Sequence, residues 1–77
     1  MNTIIICDYG WIICGVKTSE NTKAVTLKDA SVVRSWSNGR GIGALAKKEY
    51  KGEYKLDAIG GVVINKAKVL FEIPCEW

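Results

Sequence analysis

Apolar residues in this chain come in short bursts divided by turn formers, and one stretch spaces them at a helical interval. Thr3 to Cys7 is a β-branched run, and Asp8-Tyr9-Gly10 after it is turn chemistry. Trp11 to Lys17 is a second run, so the two predict a hairpin, with Gly15 marking a bulge or a close backbone approach. Thr18 to Thr22 reads as a polar loop. Lys23 to Lys28 alternates, with Val25 and Leu27 inward and Thr26 and Lys28 outward, which predicts a third strand. Asp29-Ala30 reads as the next turn and Ser31 to Trp36 as a fourth strand. Ser37-Asn38-Gly39 breaks the pattern. From Arg40 to Tyr50 the spacing turns helical, placing Ile42, Leu45, Ala46 and Tyr50 on one face. Ser37 or Asn38 is the expected N-cap, Lys47, Lys48 and Lys51 suit the far end of the helix dipole, and Gly52 is the expected stop. Glu53-Tyr54-Lys55 reads as a polar connection leading to Leu56-Asp57, and Gly60-Gly61 as a turn. Val62 to Ile64 and Val69 to Ile73 are the last expected strands, joined by Asn65 to Lys68, and Pro74 closes the final one where a sheet edge tolerates it.

About six short strands with one short α-helix predict a mainly β fold, either a small, partly open barrel or a bent antiparallel sheet. A parallel α/β fold needs several crossover helices and is excluded. The 77 residues make a single domain. A domain of this size buries only about 60–65% of the surface its unfolded chain exposes, so homo-oligomerisation is the expected means of completing the core. Cys7, Cys14 and Cys75 are odd in number and form no C-x-x-C pair, and the first two sit in apolar runs. That pattern points to buried free thiols in a reducing compartment. Asp8 interrupts the first apolar run, which excludes a membrane span of about 20 residues. The expectation is a soluble, cytoplasmic protein.

Candidate chemistry narrows the picture further. Histidine is absent, which removes the commonest general acid/base and the commonest metal ligand. No Ser or Cys has a recognisable activating neighbour, so the sequence points to a protein that is not an enzyme, with no metal and no cofactor. The net charge of +3 is too small to announce a nucleic-acid binder, and Lys47, Lys48, Lys51 and Lys55 are interspersed with Glu49 and Glu53 as on a solvated face.

The informative segment runs from Val32 to Gly43. Strand periodicity sets Arg34 and Trp36 on the same face, and the chain then enters a helix with a glycine-rich first turn. Amides there have no intrahelical partner, and the dipole favours an anion. Trp36 offers a flat face for a nucleobase, Arg34 and Arg40 can neutralise phosphates, and the amides from Gly39 to Gly43 can cradle them. The candidate ligand-binding residues are therefore Arg34, Trp36, Asn38, Gly39, Arg40, Gly41 and Gly43. A packing explanation stands beside this one. In it Gly43 and Ala46 form a small-residue contact stripe, Arg34 pairs with Asp29 or Asp57, and Trp36 belongs to the core. The letters Gly39-Arg40-Gly41-Ile42-Gly43-Ala44 also match G-x-G-x-x-A, but no βαβ unit follows to make them a dinucleotide fingerprint.

Asp29 to Arg34, Trp36, Arg40 to Gly43, Leu45, Ala46, Leu56, Asp57 and Gly60 follow an ordered pattern: an Asp-Ala-Ser-Val-hydrophobic-Arg-x-Trp strand, then Gly-hydrophobic-Gly-x-Leu-Ala, then Leu-Asp-x-x-Gly. In this the chain resembles a group of small, largely uncharacterised phage and prophage proteins, over about half its length. It departs at Ser37-Asn38-Gly39, where the group tends to carry Gly-Thr-Thr, which bears on ligand choice. The resemblance implies a phage origin and action in the cytoplasm of an infected bacterial cell. Small oligomeric phage proteins are known as a class to sequester nucleotide immune signals. By that analogy the expected partner is a nucleotide second messenger, cyclic or derived from ADP-ribose, held without turnover in a homo-oligomer. A structural or protein-interaction barrel and a weak nucleic-acid-binding module are the alternatives.

Overall fold

The computed structural model describes residues 2–49 and 51–77. Five strands form one antiparallel sheet: β1 Asn2–Cys7, β2 Ile12–Glu20, β3 Ala24–Ser37, β4 Glu53–Asn65 and β5 Val69–Pro74. Their spatial order is β4-β3-β2-β1-β5. The two edge strands are thus β4 and β5, yet only Lys66–Lys68 join them. A flat sheet would hold its outer strands about 19 Å apart, whereas the link from Asn65 to Val69 spans at most about 14 Å. The sheet must therefore curl, and it forms an open half-barrel with one short helix, α1 Ile42–Leu45. This is the mainly β, partly open architecture expected from the sequence.

The curl has a visible crease. Gly15 of β2 drops out of register with β3, and a Cβ there would lie 3.0 Å from the Ala30 Cα. On β3, Lys28 and Asp29 bulge between Leu27 and Ala30, with Asp29 at φ 49°. On β4, Ile59 is the extra residue between Ala58 and Gly60. The three irregularities lie side by side across β2, β3 and β4, and bulges in neighbouring strands bend and twist a sheet locally.

This crease corrects the expected strand count. The Asp29-Ala30 and Gly60-Gly61 turns are bulges inside continuous strands, so the third and fourth expected strands are one 14-residue strand. Glu53 to Lys55, expected as a connection, is the start of β4. Thr18 to Glu20, placed in a loop, extends β2. Gly15 matches its expected role as a bulge, and Pro74 ends the edge strand β5.

The helix is a single turn, not the span Arg40 to Tyr50; Tyr50 itself lies outside the described residues. Its apolar face is as expected, since Leu45 and Ala46 are buried and Ile42 packs beside them. Tertiary partners explain its length. The Leu45 carbonyl accepts from the Trp77 Nε1–H at 2.5 Å, and the Ala46 carbonyl accepts from the Glu76 amide at 2.8 Å. The Lys48 amide donates to Glu76 Oε1 at 2.9 Å. The groups that would carry the helix onward are thereby engaged by the C-terminal segment, and so short a helix has no stability of its own.

Each face of the sheet carries a core. Ile4, Ile6, Cys14, Val33, Leu45, Ala46 and Cys75 form one, closed over by α1 and Trp77. Ile5, Cys7, Ile13, Val25, Leu27, Ala30 and Ile64 form the other, inside the curl. The three cysteines are free and buried. No helix among the described residues is long and apolar enough to cross a membrane.

Ion pairs tie the narrow end of the curl. Lys17 Nζ lies 3.0 Å from Glu20 Oε1 and 2.9 Å from Glu72 Oε2, and Lys66 Nζ lies 2.8 Å from Glu20 Oε2. Hydrogen bonds from Lys66 and then Lys17 hold the Glu20 carboxyl below its ordinary value. Bonds to Glu72 and then Glu20 hold the Lys17 ammonium above its own. The Glu20 contribution to stability is complete above the unfolded carboxylate value, about 4.3, and is gone once pH falls below the lowered one. The Lys17 contribution is complete below about 10.4 and is lost as pH rises through the raised value. Urea midpoints measured against pH should show both limbs, and Glu20→Gln should shallow the acid one. An acid limb identical in Glu20→Gln would contradict this account.

Candidate functional site

The bulge at Arg34 decides the geometry of the candidate segment. Val33 pairs with Leu56 and Ser35 with Lys55, leaving Arg34 as the extra residue between them. Trp36 consequently packs against the same core as Val33, with Tyr54 opposite it on β4. Arg34 points to the other face, where its Nε lies 3.8 Å from Asp57 Oδ2. The expected shared face for Arg34 and Trp36 is thus incorrect, because the extra residue shifts the alternation.

The amide cradle is also partly engaged. Asn38 Oδ1 accepts from the Arg40 amide at 2.7 Å and from the Gly41 amide at 2.9 Å, while Asn38 Nδ2 donates to the Gly41 carbonyl at 3.0 Å. Asn38 therefore builds the loop instead of capping α1, whose N-cap position is Gly41. Two of the amides expected to hold phosphate are satisfied within the protein. Gly39, Arg40, Gly41 and Gly43 are all exposed. A Cβ on Gly43 would meet nothing within 4 Å, so Gly43 makes no close packing contact with the sheet of its own chain.

An open groove of about 500 Å³ lies beside this loop, lined by Ser35, Trp36, Ser37, Gly52, Glu53, Tyr54 and Lys55. Of the residues singled out from sequence, Trp36 lines it. Gly52, expected as the helix stop, and Tyr54 and Lys55, expected as a connection, lie outside the candidate set. Gly52 sits so close to the loop that a Cβ on it would lie 2.7 Å from the Asn38 Cα. Beyond the groove, the Tyr54 and Trp77 rings stack with centroids 4.7 Å apart. Lys51 Nζ lies 5.4 Å from the Tyr54 centroid and 5.5 Å from the Trp77 centroid. A cation over such a pair is attracted by the ring quadrupoles.

The thiols do not contribute reactive groups to this region. Burial pushes Cys14 and Cys75 above the ordinary thiol value, and for Cys14 the neighbouring Cys75 adds to the rise. Burial, helped by Asp8, does the same to Cys7. A raised value keeps a thiol protonated and poorly nucleophilic at neutral pH. Comparison with protein-family models, with curated proteins and with solved structures found no match.

Proposed function

We propose that this protein is a non-catalytic binder that sequesters an anionic nucleotide, in the manner of a phage anti-defence sponge. The groove along Trp36 and Tyr54 is the observation that carries this reading, since it presents aromatic surface and adjoins the loop bearing Arg40. A base would stack against Trp36, and Arg40 would meet phosphate oxygens. Arg34 has no part in it, being on the opposite face with Asp57. Asn38 acts by holding the loop in shape. Sequestration asks for tight binding and no acid/base pair.

Titration calorimetry against cyclic nucleotides and ADP-ribose derivatives tests the reading. Binding at micromolar concentration or tighter is expected for at least one of them, weakened about tenfold by Arg40→Ala, which removes a charge-assisted hydrogen bond. Trp36→Phe, which keeps an aromatic in the core, should weaken the same ligand by a smaller factor. No heat with any of the nucleotides, or equal affinity in Arg40→Ala and Trp36→Phe, would overturn it. The apolar residues exposed along β4, Leu56, Ile59 and Val63, favour a second reading as an interaction barrel.

A further inference from the structure

An apolar row crosses the whole sheet on the face that carries α1. Phe71 of β5 pairs with Ile6 of β1, and Ile6 with Ile12 of β2. Ile13 pairs with Val32, which sets Ile12 beside Val33 of β3, and Val33 pairs with Leu56 of β4. Residues directly opposite in an antiparallel pair share a face. The interior of the row is buried or packed on the core, while its ends emerge at the sheet edges, Leu56 39% and Phe71 46% exposed. The row therefore stops at each edge with an apolar side chain half in water.

The two edges differ in what they can accept. β5 has six residues, a register break beside Cys7 and a terminal Pro74 that cannot donate to a ladder. β4 has no proline and a neighbour on one side only, and it runs from Glu53 to Ala58 before its own bulge at Ile59. Lys55 and Asp57 flank Leu56 on the face opposite to it. If a second β4 runs antiparallel about a two-fold axis through Leu56, Leu56 meets its own copy and the apolar row continues into the second sheet. In that register Lys55 of each chain stands opposite Asp57 of the other, twice by symmetry. Apolar continuity and charge complementarity thus select one register independently, and a strand edge whose backbone has no partner favours strand addition.

We propose that two copies of this chain pair through β4 in that register, forming a ten-stranded sheet across an isologous interface. The pairing does not depend on nucleotide binding, and its test contains no nucleotide. Sedimentation equilibrium of the full chain should give twice the chain mass. Lys55→Asp and Asp57→Lys, both at exposed positions, should each weaken self-association about 100-fold, because each sets like charges opposite one another twice. An equimolar mixture of the two variants should recover the dimer, since acidic and basic copies then face each other. Mild oxidation of Leu56→Cys should yield a covalent dimer from the thiol meeting its own copy. A monomeric wild-type chain, an assembly of another order, single variants that dimerise like wild type, or a mixture that stays monomeric would each overturn the proposal.

Discussion

Replacing Gly52 with alanine should destabilise the fold by about 3 kcal/mol and lower the melting temperature by about 10–25 °C, the largest effect of any glycine-to-alanine change in this chain. Two causes combine. Gly52 has φ 70°, a left-handed conformation that costs an L-residue about 1–2 kcal/mol. A Cβ there would also lie 2.7 Å from both Cα and Cβ of Asn38 and would overlap the Ser37 carbonyl. Neither neighbour can yield easily. Ser37 is at the end of β3, paired with Glu53, and Asn38 is fixed by three hydrogen bonds within its loop. Gly39→Ala is the matched control. It has φ 71° but open space around the added atom, so only the backbone cost of about 1 kcal/mol should appear. Thermal unfolding followed by circular dichroism separates the two, and equal losses in both variants would mean that the close approach at Gly52 contributes nothing. The same substitution bears on function, because Gly52 lines the groove and sets the position of Ser37 and Asn38.

Much of this fold was legible from local pattern, and the failures share a cause. Thr3 to Cys7 and the run after it read as a hairpin because β-branched residues flank turn chemistry, and β1 and β2 pair as expected. Ile42, Leu45 and Ala46 read as one buried face, and they are. Asp29 and Gly60 mark in the sequence places where the chain departs from regular geometry, expected there as turns, yet a local departure is equally compatible with a turn and with a bulge. Partners far away in sequence decide between them, here β3 for Gly60 and β2 with β4 for Asp29. The same gap explains Arg34 and Trp36, since alternation holds only where no residue is extra. It also explains the ion pairs joining Lys17 to Glu72 and Glu20 to Lys66, whose members are brought together by pairing between strands distant in sequence. Tyr54 carried no signal of its role, because a tyrosine flanked by Glu53 and Lys55 looks solvated until Trp36 is placed opposite it and Trp77 against it.

Trp77→Ala should cost about 3–4 kcal/mol, and the loss should fall on α1 before it reaches the strands. The indole does two jobs. Its ring stacks on Tyr54 at 4.7 Å, and its Nε1–H satisfies the Leu45 carbonyl at 2.5 Å. The main-chain oxygen of Trp77 additionally accepts from Asn2 Nδ2 at 2.8 Å, which ties the two ends of the sequence together whatever the side chain is. Truncation leaves the carbonyl of a fully buried residue without its donor, worth about 1–3 kcal/mol, and forfeits about 0.5–1.5 kcal/mol of ring pairing beyond area. Trp77→Phe retains the ring and loses the donor, so its cost should be about 1–2 kcal/mol. Urea titration gives the ordering, and amide exchange should quicken for residues 42–48 while β1 and β2 keep their protection. Because Trp77 docks on Tyr54 and Leu45 of its own chain, neither variant should alter self-association through Leu56. A dimer that dissociates in Trp77→Phe would instead place the indole between subunits, and a Trp77→Phe variant as stable as wild type would remove the Leu45 hydrogen bond from the account of why α1 ends where it does.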